Sequence, residues 1–144
     1  MDRHRPAAWL LVAAFLLASG CGYTAQADED SQQPATVEAV SGSDVSRIVL
    51  SADAAHRIGL ATAPVSAVGA GRTSVPYSAV IYWIDGRTWV YAQEGDLTFL
   101  REPVDIDEVR GSRAILKSGP PAGTVVVKTG GVELLGTEFE IEGE

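Results

Sequence analysis

The sequence predicts a mainly β fold, a small barrel or sandwich, with one short helix near residues 52–58. Three observations predict it. From residue 71 onward, short apolar runs alternate with turn residues at spacings usual for all-β domains. Asp85-Gly86, between the runs Tyr77–Ile84 and Arg87–Gln93, is a strong short hairpin signal. Helix signals gather around Ala52–Ile58, where Ser51 can cap the start and Gly59 can supply the left-handed residue at the end.

Ahead of the fold, Arg3 and Arg5 precede an uncharged apolar run, Ala7 to Leu17, which ends in Ala18, Ser19, Gly20, Cys21. This is the layout of an export signal over residues 1–20, with small residues at the cleavage point. The tetrad 18–21 resembles the lipobox of bacterial lipoproteins, in which the cysteine thiol is acylated and becomes the first residue. Ala18 stands where that family more often has Leu. The resemblance implies lipid attachment at Cys21 and an extracytoplasmic position on a bacterial membrane. An uncleaved anchor helix is the poorer reading, because the run is shorter than the roughly 17–25 residues that span a bilayer. One acyl chain binds only marginally and two or more hold stably.

Cys21 is the only cysteine, so no intrachain disulfide is available and an apolar core must stabilise the fold. Of the 46% hydrophobic residues, part belongs to the leader, which makes the folded portion more polar than the average suggests. Cleavage before Cys21 would remove Arg3, Arg5 and Asp2 and take the formal charge from −8 to −9. Such an acidic chain excludes nucleic acid as a partner and any docking on anionic headgroups through basic patches. Membrane attachment then falls to the lipid.

Residues 21–45 carry Asp28, Glu29, Asp30, Ser31, Gln32, Gln33, Pro34 and then Ser41, Gly42, Ser43, with few large apolar side chains. Such a stretch cannot offset its own ordering entropy, which predicts a flexible tether. Its root-mean-square reach would be roughly 25–30 Å, enough to lift the domain clear of the headgroups. Residues 46–70 read as a lead-in of strand, helix and strand: Arg47–Ser51, Ala52–Ile58 and Leu60–Val68, with Pro64 confining the last to an edge.

Residues 71–144 form the β-domain. A two-residue turn at Asp85-Gly86 sets Ile84 opposite Arg87, Tyr82 opposite Trp89 and Val80 opposite Tyr91. Both faces of this hairpin are apolar, so it reads as a central hairpin covered on both sides. The alternative is that the face bearing Tyr82, Trp89 and Tyr91 docks a partner, since Trp and Tyr are enriched in interface cores. Those three are the candidate partner-binding residues. Strands follow at Leu97–Ile106, bulged or at an edge because of Pro103, at Arg113–Lys117 and at Thr124–Thr129. The alternation of Glu138, Glu140 and Glu142 with Phe139 and Ile141 predicts a half-buried last strand over Val132–Ile141.

Nothing here sets up bond chemistry. A cysteine reserved for acylation and a single remaining histidine, His56, give no nucleophile–base pair and no zinc set. Asp105 and Asp107 share one side of a strand beside Glu108, but without the glycine and spacing of a calcium loop. The glycines near 119 and 130 match no phosphate loop. No catalytic residue, metal or cofactor is expected.

One set of residues resembles a family. Val75, Pro76, Ser78, Ala79, Val80, then Trp89, Val90, Tyr91, then Pro103, Val104, and finally Ser118, Gly119, Ala122, Gly123, Val125, Val126, Gly130, Gly131 are similar in order to the membrane-proximal end of periplasmic adaptors. These are the membrane fusion proteins of resistance-nodulation-division efflux pumps. The segment Ile48–Val65 resembles their lead-in, and Glu133–Phe139 the closing stretch of one branch. The resemblance implies a non-catalytic subunit that contacts a membrane transporter, with a second copy of the chain as a further candidate partner. The chain departs from a full adaptor between Val65 and Arg72, where a few small residues replace the long helical hairpin and its lipoyl-like flanks. Without that hairpin the chain by itself does not reach an outer-membrane channel, which counts against a bridging role. With Met1 lost on cleavage His56 stands alone, which gives no support for metal handling. The competing expectation is a free-standing envelope lipoprotein that captures a small ligand or a cell-wall component in its barrel mouth.

Overall fold

The computed structural model describes residues 33–140. Ten strands and two helices follow in the order β1 (Ala35–Ala39), β2 (Ser46–Leu50), α1 (Ala52–Arg57), β3 (Ala61–Pro64), β4 (Ser66–Gly69), β5 (Arg72–Pro76), β6 (Ile81–Tyr82), β7 (Thr88–Gly95), β8 (Thr98–Arg110), β9 (Arg113–Ser118), β10 (Val125–Thr129) and α2 (Gly131–Glu140), with a 3-10 turn at Tyr77–Ala79. The mainly β, barrel-like fold expected from the sequence is what forms.

The barrel is drawn together by residues 61–69. The main path of the sheet runs β3-β10-β7-β8-β9-β5-β4, so its two ends are consecutive in the chain. Val65 joins them. Its N–H donates to the Thr124 carbonyl at 2.8 Å and its carbonyl accepts from Gly123 N–H at 2.9 Å, while the residues after it pair with β5. One kinked segment thus serves both margins of the sheet and nearly closes it. Pro64, which has no N–H to give, sits in terminal strand β3 as its chemistry requires. Gly69, Ala70 and Gly71 all take left-handed φ, 84°, 52° and 71°, and make the tight turn from β4 into β5.

Two apolar clusters lie on opposite sides of β7. Val90 joins Val65, Val75, Ala79, Val104, Ala114, Leu116 and Val126 inside the barrel. Trp89 and Tyr91 point the other way, to a second cluster with Ile48, Leu50, Ala54, Ala55, Ile81, Phe99, Val127 and Leu134. That outer cluster is roofed by β1, β2 and the two helices, because β2 pairs with the start of β8 and carries β1 on its far side. The expectation that the central hairpin is covered on both faces holds for β7. The barrel interior is filled by valine, alanine and leucine.

Helix α1 forms as its signals require. Ser51 Oγ accepts from Ala54 N–H at 3.1 Å, and Gly59 adopts φ 61° beyond the last turn.

Three local expectations are corrected. The stretch placed in the tether contains β1, which pairs with β2 from Ala35↔Leu50 to Ala39↔Ser46. Its β-branched Thr36 and Val37 suit a strand, and Val37 packs on the outer cluster. The central hairpin pairs Ile81 with Trp89 and Tyr82 with Thr88, one residue away from the expected register. Its loop is longer than two residues: Gly86 N–H donates to Trp83 O and Trp83 N–H to Arg87 O, with Gly86 at φ 83°. This three-residue loop slips the register by one, which moves Tyr82 to the face away from Trp89. The last expected strand is helix α2. Helical period puts Leu134 and Glu138 on one inward stripe, which outweighs both the glycine at 136 and the local alternation of glutamates.

Phe99 is fully buried in the outer cluster at the point where β8 is flanked by β2 and β7. Phe99→Ala is expected to destabilise the fold by about 3–5 kcal/mol, measured as a fall in ΔG of urea unfolding.

Candidate functional site

Polar chemistry in the outer cluster converges on one carboxylate. Glu138, carried inward by α2, is 1% exposed and accepts four hydrogen bonds. Its Oε1 takes Ser46 N–H at 3.1 Å and Arg101 Nη2 at 3.2 Å; its Oε2 takes the Tyr91 hydroxyl at 2.6 Å and Arg101 Nε at 3.1 Å. A buried carboxylate is tolerable only when its charge is matched and its lone pairs are filled, and this arrangement meets both conditions. Arg101 comes from the middle of β8, Tyr91 from β7 and Ser46 from the start of β2, so the carboxylate ties four elements to one point.

Burial, with the neighbouring Glu138 carboxylate, pushes the Tyr91 phenol well above its ordinary range, against the opposing pull of Arg101. Tyr91 therefore stays protonated and serves as a donor to Glu138.

Aromatic rings surround the guanidinium. Arg101 Cζ lies 4.5 Å from the Trp89 ring centroid, 5.3 Å from Phe139 and 5.8 Å from Trp83. Trp83 and Phe139 stack at 4.9 Å with 22° between their planes, fastening the hairpin loop to α2. Arg87 approaches Trp89 at 5.3 Å. Above this layer opens a groove of about 410 Å³ whose walls include Asp44, Trp83, Arg87, Trp89, Arg101 and Phe139.

One atom of the groove wall is out of balance. Trp89 Nε1 is buried and is the one such side-chain nitrogen or oxygen among the described residues without a hydrogen-bond partner. Leaving a buried donor unpaired costs about 1–3 kcal/mol. Native structures keep few such groups.

Of the sequence-predicted partner residues, Trp89 and Tyr91 are 8% and 0% exposed and pack in the outer cluster. Tyr91 presents nothing to a partner. Tyr82 is 55% exposed on the opposite face, where its hydroxyl meets that of Tyr77 at 3.2 Å. Ile84 at the loop tip is 96% exposed. The predicted signal and tether residues 1–32, Cys21 among them, lie outside the described residues. Asp107 and Glu108 are engaged by Arg72 at 2.9 and 3.6 Å, and among the described residues no group of three or more His, Cys, Asp or Glu is placed to hold a metal ion. His56 is exposed in the last turn of α1.

Sequence reasoning missed Arg101 and Glu138. Glu138 was assigned to the outer side of a strand; the spacing of Leu134 and Glu138, four residues apart, was the available sign that it turns inward on a helix. Neither a protein-family model nor a curated protein nor a solved structure matches this chain.

Glu138→Leu leaves Arg101 buried without its counter-charge, with an expected loss of about 3–5 kcal/mol in chemical denaturation. Arg101→Met combined with Glu138→Leu removes both charges and is expected to recover a substantial part of that loss, because the uncompensated ion is gone. A second expectation concerns alkaline pH. The folded Tyr91 pKa is raised, so its stabilising contribution is complete below the unfolded value of about 10 and is lost as pH climbs above it. Denaturant midpoints at pH 8 and pH 10.5 should fall apart in the wild type and lie closer together in Tyr91→Phe.

Proposed function

We propose that this chain is a non-catalytic, lipid-anchored accessory protein that contacts a membrane transporter, in a role like that of an efflux adaptor. The observation that carries the reading is the hairpin loop between β6 and β7. It holds Ile84 and Tyr82 out to water, 96% and 55% exposed, with Tyr77, 41% exposed, beside them. Tyr77 and Tyr82 meet edge to face at 6.3 Å and share a hydroxyl contact, so the patch is ordered before any partner arrives. Neighbouring large apolar side chains on an ordered element are the usual mark of a protein contact. The docking residues are thus Tyr82 with Ile84 and Tyr77, in place of Trp89 and Tyr91.

The ordered set of adaptor-like residues supports the same reading, since it falls on barrel elements in sequence, from β5 through β7 and β8 to the β9–β10 turn and beyond. The lipobox-like tetrad at residues 18–21 supports attachment through Cys21. Only the tight turn at Gly69–Gly71 stands where an adaptor carries its helical hairpin, so the role proposed for this chain is contact with the transporter.

Cys21→Ser is expected to move the protein from the membrane fraction to the soluble extracytoplasmic fraction; retention on membranes would defeat the lipid anchor. After mild crosslinking in cells, the wild type should recover a resistance-nodulation-division transporter subunit identified by mass spectrometry. The paired change Tyr82→Ser and Ile84→Ser should lower that recovery about tenfold with an unchanged circular dichroism spectrum. Equal recovery from the variant would sink the docking patch.

A further inference from the structure

We infer that the groove over the Arg101–Glu138 pair is a binding site for a neutral saccharide ring. It lies on the outer face of the barrel and borders the loop that carries the docking patch, because Trp83 and Arg87 line it. Its volume of about 410 Å³ falls within the usual size of small-molecule sites, and its walls combine aromatic surface with a few fixed polar groups, as such sites do.

The polar groups narrow the ligand. Both guanidinium groups are already matched: Arg101 by Glu138 at 3.1 Å and Arg87 by Asp85 at 2.6 Å. Asp44 in the groove wall has no ion-pair partner among the described residues. An anionic ligand would therefore meet an uncompensated carboxylate on a chain of net charge −8. A cationic ligand would meet the positive charges of Arg87 and Arg101, which already lie against the Trp89 ring.

What remains is a neutral molecule that offers an apolar face, hydrogen-bond donors and at least one acceptor. A pyranose ring has this distribution, with C–H groups on its faces and hydroxyls around its edge. Trp83 and Phe139, both partly exposed and stacked on each other, supply apolar surface on the sides they do not turn to one another. The exposed Asp44 carboxylate in the groove wall accepts from hydroxyls, and the Arg87 guanidinium, 63% exposed, has further N–H groups to donate to a ring or hydroxyl oxygen. Because Glu138 and Tyr91 lock Arg101 under the rings, the platform is rigid before the sugar arrives.

Isothermal titration calorimetry of the full chain with cellotriose and with chitotriose tests the assignment. Saturable binding of at least one of the two is expected. Trp83→Ala, at a partly exposed position, should abolish it, and Asp44→Asn should weaken it about tenfold. Absence of saturable heat with both sugars at millimolar concentration overturns the proposal. So does undiminished affinity in Trp83→Ala with an intact circular dichroism spectrum, or saturation by glucuronate or choline in place of the neutral sugars.

Discussion

The architecture depends on one buried carboxylate. Glu138 reaches from the last helix to Ser46 at the start of β2, to Tyr91 on β7 and to Arg101 on β8, so the final element and the outer strands share a single polar anchor. Apolar packing alone would leave α2 loosely specified, because its inward stripe offers one fully buried leucine, Leu134. Four directional bonds to one side chain admit few alternative placements. The anchor contributes specificity more than raw stability, since a buried ion pair roughly breaks even against well-packed hydrophobic residues.

Around that anchor, β7 and β8 work as shared walls. Alternate residues of β7 feed two separate apolar clusters, which is why its stretch Trp89–Ala92 is buried and apolar on both faces. β8 is long enough to change partners along its length: β2 and β7 flank its start, and β9 pairs with its end. Pro103 sits opposite Trp89 between these regions, where a missing N–H matters least. The barrel interior and the roofed outer cluster are therefore mechanically joined through two strands.

Much of the fold was readable from the chain because its strands carry local signals. The edge position of Pro64, the Ser51 cap, the Gly59 terminus and the boundaries of β9 and β10 each follow from the chemistry of one or two residues. The misreadings share a cause, which is that tertiary contacts outweighed local pattern. The Glu138–Phe139–Glu140–Ile141 alternation favours a strand, yet a helix lets Glu138 reach Arg101. Thr36 and Val37 are too few to announce a strand, yet β2 offers them a ready partner. The hairpin register turned on one loop residue, Ile84, and this decided which aromatic side chains face water. The candidate site was less readable than the fold. Its aromatic residues are visible in the sequence, but their gathering around Arg101 depends on elements far apart along the chain.

The kink at Val65 has a consequence for how copies of this protein behave together. A sheet with free margins invites accretion of further strands, but here residues 61–69 occupy both ends of the main path themselves. The strands paired on one side only, β1, β3, β4 and β6, are each five residues or fewer, and β1 carries Glu38, whose carboxylate lies 3.9 Å from Arg47. Strand-to-strand accretion therefore has only short starting points among the described residues.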